Sequence, residues 1–149
     1  MKIFLLISTL LMFFSIPVFS HKIELDDKTT EEIVNTRMKK MSIINKLTQK
    51  IYKDLNSEDF KLLKDETLEL KHAAVEFAGL FPENSEAGNA KKIIWEEREL
   101  FDEYNSNFLN DINSMLADIE NKNLSNLKIS FNNMASNCGT CHKKFKKKK

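Results

Sequence analysis

The chain has 149 residues, with 23 lysines and arginines against 22 aspartates and glutamates, and 42% of its residues are hydrophobic. That balance excludes a general affinity for nucleic acid or for an anionic membrane surface, and the length bounds one domain with a single core.

Residues 1–20 have Lys2, an apolar run from Ile3 to Phe14, then Pro17 and a Val18-Phe19-Ser20 end. This is the pattern of a secretory signal peptide, too short and wrongly flanked for a stable span, so no membrane span is expected in the mature form. Cleavage after Ser20 leaves a domain of residues 21–149, and only Lys2 among the charged residues departs with the signal.

Beyond the signal there is no glycine before Gly79, Pro82 is the one internal proline, and no run of alternating β-branched residues occurs. The fold class is therefore all-α. The first helix opens near Thr29 or Thr30, either of which can cap, with Glu31 and Glu32 complementing the helix dipole. Its apolar face runs Ile33, Arg37, Met41, Ile44, Thr48, Ile51 and Leu55, spaced by threes and fours. Asn56 to Asp59 form a turn and a new cap, and the second helix carries Phe60, Leu63, Thr67, Leu70, Ala74 and Phe77 up to Gly79. Phe81 to Gly88 are the loop with real breakers.

The third segment, from about Asn89 to Asn121, repeats Ile94, Arg98, Phe101, Asn105, Phe108, Ile112, Met115 and Ile119 as a heptad seam, which predicts one long buried helix. The last segment continues the pattern with Leu124, Leu127, Phe131, Met134, Cys138, Cys141 and Phe145. Four amphipathic segments with short links fold most economically as an antiparallel up-down-up-down four-helix bundle.

Cys138, Cys141 and His142 spell Cys-x-x-Cys-His, the attachment signature of a c-type haem: two thiols add across the porphyrin vinyl groups and the adjacent imidazole ligates iron. At spacings of three and four on a helix, the three side chains point to one side, so one turn can hold a flat macrocycle and its metal. Both thiols fall in the apolar stripe, which puts one covalently bound haem c between the helices. The competing readings are a redox dithiol and half of a zinc site. A zinc site closed by protein ligands usually needs four, and the chain offers two cysteines and three histidines, His21, His72 and His142. A reactive dithiol belongs at the start of a helix in a βαβ context. Covalent attachment of this kind takes place outside the bacterial cytoplasm, so motif and signal support each other and imply a periplasmic location.

The chain resembles the class II c-type cytochromes, the cytochrome c prime family. The resemblance covers nearly the whole mature chain. It rests on Cys138-Gly139-Thr140-Cys141-His142 with Phe145 and Lys146, on the Phe81-Pro82 loop with Ser85, on Ala90, Ile94-Trp95 and Phe101, and on Arg37 with the position four residues later. It implies a left-handed four-helix bundle with haem near one end, often as a homodimer. In that family the residue four after the first-helix arginine faces the distal side of the iron. Leucine there accompanies five-coordinate iron open to small gases, whereas methionine as sixth ligand accompanies low-spin electron carriers.

Here the residue is Met41, and thioether ligation raises the potential, which suits electron transfer. Its bland alternative is a packing methionine. Met38 lies about a turn off the stripe, and Met134 sits on the haem-bearing helix. For Arg37 the resemblance implies a hydrogen bond to a haem propionate, against simple snorkelling. For Lys146 it implies a basic neighbour of the proximal imidazole, against one more solvated lysine. Trp95 and Phe101 are expected to fill core beside the macrocycle, and His72 to lie on a helix surface. The lysine-rich end, Lys143 to Lys149, is read either as a solvated terminus complementing the helix dipole or as a docking patch for an acidic redox partner.

No catalytic nucleophile, acid/base pair or substrate pocket is identifiable. The expectation is a non-enzymatic one-electron carrier with His142 and Met41 as axial ligands and redox proteins as partners. The alternative is a five-coordinate haem protein binding nitric oxide or another small gas. An apo dithiol protein of the envelope is the third reading.

Overall fold

The computed structural model of the protein describes residue 25 and residues 27–148. The expected signal peptide and His21 lie outside the described residues, as does Lys149. Among the described residues five helices form: α1 (Thr30–Asp54), α2 (Phe60–Ala78), α3 (Ile93–Glu96), α4 (Arg98–Glu120) and α5 (Leu124–Phe145). The four long ones make the expected bundle.

Local chemistry sets their ends. Thr29 caps α1 through a reciprocal box with Glu32, satisfying orphan amides that the first turn would leave bare. Asp59 and Asn123 accept from the backbone amides of Leu62 and Asn126 at the starts of α2 and α5. The third predicted segment differs from expectation. It does not start at Asn89, because the chain from Asn89 to Lys91 is tied to the C-terminal tail. Lys91 donates its backbone amide to Phe145 at 2.9 Å, Lys147 donates its own to Asn89 at 2.8 Å, and Ala90 and Lys146 form an antiparallel bridge. The segment also breaks at Glu97 (φ −116°, ψ 54°), dividing the short α3 from α4. The break lies between Trp95 and Arg98, whose side chains donate to Pro82 and Phe81 of the same loop at 2.8 and 2.9 Å.

α1 packs on α2, α2 on α4, and α4 on α5. A core of Ile51, Leu63, Leu70, Met115 and Leu127 fills the end of the bundle remote from the cysteines, each such burial stabilising by about 1.5–3 kcal/mol. There α1 and α5 meet, and Tyr52 stacks on Phe131 with centroids 5.9 Å apart. A second apolar cluster of Leu80, Phe81, Ile94, Phe101 and Phe145 closes the other end beneath the loop that follows α2. One buried residue goes against the pattern: Glu66, 2% exposed, with Lys50 Nζ 3.0 Å from its carboxylate.

Candidate functional site

Between α1 and α5, at the end that carries the cysteines, the bundle holds a cavity of about 560 Å³. α5 contributes Cys138, Cys141 and His142, and α1 contributes Arg37, Met38 and Met41. Phe81, Ile94, Phe101 and Phe145 line the same space. Every candidate residue named from the sequence, Lys146 included, therefore borders one cavity. Met38 does too, although its side chain is largely exposed. The sequence reading set Met38 aside because it lies off the stripe, and a wide cavity reaches more of the helix circumference than a packed seam does.

The cysteines are free and half-buried. Burial pushes the Cys138 thiol up and the Cys141 thiol up to about 11, with Cys138 adding to the latter. These are protonated, poorly nucleophilic thiols far from a helix N-terminus, the opposite of what a redox dithiol requires. His142 is held below its usual range by burial first and by the positive charge of Lys146 second, which favours the neutral imidazole that a metal needs. At Gly139 nothing lies within 4 Å of where a Cβ would stand, so the turn between the thiols faces open space.

The chemistry of this donor set fits a haem. Two thiols and an imidazole share one wall, the volume is within the roughly 300–1,000 Å³ usual for cofactor sites, and aromatic rings provide the apolar walls. Cys138 and Cys141 would hold the macrocycle and His142 its iron.

Arg37 is 6% exposed, and most of its donors are already engaged. Nε donates to the carbonyl of Leu80 at 2.5 Å, one terminal nitrogen to the carbonyl of Ser85 at 2.9 Å, and the other to the Ser85 hydroxyl. The guanidinium lies over the Phe81 ring at 4.4 Å and the Trp95 ring at 5.3 Å. Burial draws its pKa down to about 10, so it stays charged at neutral pH. Its observed work is to pin the loop from Leu80 to Ser85 under the cavity. A guanidinium has five N–H bonds, so two remain for another acceptor. Phe101 borders the cavity as expected; Trp95 stands behind Phe81, with ring centroids 6.0 Å apart. His72 is on the surface and 3.4 Å from Glu76. What sequence reasoning missed is the loop-anchoring role of Arg37, whose signal was the pairing of a buried-stripe arginine with a distant loop rich in free carbonyls.

A family model described as cytochrome C′ matches residues 32–146. Solved structures of cytochrome c prime from Alcaligenes xylosoxidans share the fold. The nitric oxide complex of a leucine-to-alanine mutant has 21% identity, covers 81% of this chain and 98% of that one, and gives a TM-score of 0.77. A ferrous arginine-to-lysine variant with bound NO has 22% identity at the same coverages and TM-score. A carbon monoxide-bound leucine-to-glycine variant has 20% identity, coverages of 80% and 98%, and a TM-score of 0.77. No curated protein sequence matches the chain.

Proposed function

Because the chain belongs to the cytochrome c prime family, we propose that it is an exported haem c protein that carries one electron, with His142 and Met41 as axial ligands. The observation that carries this reading is that Met41 on α1 and His142 on α5 border one cavity together with both attachment thiols. When bound, a haem supplies a one-electron iron couple whose potential a thioether ligand raises.

The surrounding residues suit such a carrier. Phe81, Phe101 and Phe145 exclude water from the cavity's inner wall, which lowers the reorganisation that a charge change would otherwise demand. Lys146 borders the cavity beside His142 and favours negative charge there. Arg37 retains donors for one propionate while fixing the loop. No helix among the described residues is long and apolar enough to cross a membrane. The signal segment supports a periplasmic location, and electron transfer without substrate chemistry supports a non-enzyme. The family's frequent homodimer is part of the proposal; Ile43, Leu68 and Val75 are exposed on α1 and α2, and sedimentation of the holoprotein tests it.

A second reading rests on a different observation: all three of the similar structures described above hold nitric oxide or carbon monoxide. In that reading His142 alone ligates iron and Met41 gates the opposite side. Optical and electron paramagnetic spectra of the oxidised holoprotein separate the two. A low-spin spectrum with a long-wavelength thioether-to-iron charge-transfer band is expected. A high-spin spectrum would replace the carrier reading with the gas-binding one, and failure to find a covalent haem adduct by mass spectrometry would remove both.

A further inference from the structure

We propose that the C-terminal lysines and the segment packed against them form a rigid electrostatic docking surface for an acidic protein. The redox role of that protein rests on the carrier reading above, whereas the docking does not.

Lys146 and Lys147 are not part of a loose solvated tail. After α5 the backbone of Lys146 bridges Ala90, Lys147 donates its amide to Asn89 and its Nζ to the Gly88 carbonyl at 3.0 Å, and Lys91 Nζ donates to the carbonyls of Lys143 and Lys144, each at 3.0 Å. Lys91 and Lys147 thus staple the tail to the loop, and the last helix carbonyls are satisfied by a lysine from elsewhere in the chain. The result gathers Lys91, Lys92, Lys143, Lys144, Lys146, Lys147 and Lys148 on one end of the bundle. Among the described residues two ion pairs offset this charge, Glu96 at 3.2 Å from Lys92 and Glu97 at 2.7 Å from Lys144. In a protein of nearly balanced overall charge, such a concentration makes a strong local field.

The patch adjoins the cavity, since Asn89, Ala90, His142 and Lys146 border both. An acidic protein seated there lies against the edge of the candidate haem site. Of the exposed large apolar side chains among the described residues, Met38 borders the shared cavity, and Ile43, Tyr52, Leu68, Val75 and Ile129 border neither it nor residues 88–92 and 143–148 in sequence. A lipid-seated surface would require an apolar face to insert, and a purely charged one suits a weak, fast encounter between proteins. The field would act chiefly on the association rate.

The test uses full-length holoprotein with a small acidic ferredoxin as the probe, comparing wild type with Lys92→Glu/Lys143→Glu/Lys148→Glu and with the corresponding glutamine set, which spares the helix end a new negative charge. Binding is followed by NMR titration and electron exchange by stopped flow, at low and high salt. The association rate is expected to fall by about tenfold or more in the glutamate variant, and less in the glutamine one, with the salt dependence largely lost. Reduction by a neutral hydroquinone should stay unchanged. Binding that is insensitive to the variants and to salt overturns the proposal, and so does a variant that loses affinity for phosphatidylglycerol vesicles while binding ferredoxin as before. Salt-dependent binding without electron exchange supports the docking surface and removes the carrier reading instead.

Discussion

Replacing Arg37 by methionine tests whether this side chain holds the loop beneath the cavity. Methionine keeps the stem and much of the volume but leaves the carbonyls of Leu80 and Ser85 without their donors. Each orphaned buried acceptor costs about 1–3 kcal/mol. Loss of the guanidinium from the Phe81 and Trp95 faces adds about 1–2 kcal/mol. Against this, the wild type carries the penalty of burying a charge, visible in a pKa lowered from 12.5 to about 10 and worth roughly 3 kcal/mol. The balance is a net destabilisation of about 2 kcal/mol. Because two large opposing contributions enter that figure, the sharper quantity is the coupling to Ser85. Its hydroxyl accepts from Arg37 and itself donates to the Pro82 carbonyl at 2.6 Å. In a double-mutant cycle of Arg37→Met and Ser85→Ala the burial penalty cancels, leaving about 1.5–3 kcal/mol for a charge-assisted hydrogen bond. Urea unfolding of the holoprotein followed by circular dichroism measures it. A coupling below about 0.5 kcal/mol would refute the anchoring role.

Met41→Leu should convert a low-spin oxidised spectrum into a high-spin one and lower the reduction potential, since leucine offers no ligand atom; an unchanged spectrum excludes Met41 as the sixth ligand. Burial raises the Glu66 carboxyl above its ordinary 4.5 despite the opposing pull of Lys50. The folded state then keeps a proton that the unfolded state has lost, so between 4.5 and the raised value stability falls as pH rises. Glu66→Gln should flatten that slope in pH-dependent urea titrations; an identical slope in both proteins would show the group to be uninvolved. Gly88 has φ +68°, and a Cβ there would stand 2.8 Å from Val34 Cγ1. Gly88→Ala should cost about 1–3 kcal/mol, and adding Val34→Ala should recover only the steric part, leaving the backbone strain. Full recovery in thermal melts would place the whole cost in the clash.

The helices were legible because their seams are regular: Ile33, Ile44 and Ile51 in α1, Leu55 at its C-cap, and Leu127, Phe131 and Met134 in α5 are buried where the three-and-four spacing puts them. The cap residues Thr29 and Asp59 likewise carry their own local chemistry. The haem motif is contiguous, so its residues had to lie together. What escaped was non-local. The start of α3 depends on backbone bonds from a tail more than fifty residues later, the break at Glu97 lies beside two side chains tied to another loop, and Arg37 spends its donors on carbonyls that no periodicity reveals.

The separation of α1 from α5 is what couples fold to function. Three pairs of long helices pack closely, and the large core at the remote end joins both outer helices through Ile51, Leu127 and Phe131. A gap opening toward the motif end would normally collapse, since an apolar void forfeits contacts on every wall. Here it is propped by rigid parts: the aromatic cluster beneath it, with Phe81 on Phe101 at 4.8 Å and Phe101 on Phe145 at 5.3 Å, and the loop pinned by Arg37 above Phe81. The tail stapled to residues 88–91 closes the same end. The remote core therefore bears the stability, while the motif end holds a cavity lined by α1 on one side and α5 on the other. Changes to Met41 should accordingly alter the iron far more than the fold, and changes to Ile51 or Leu127 the reverse.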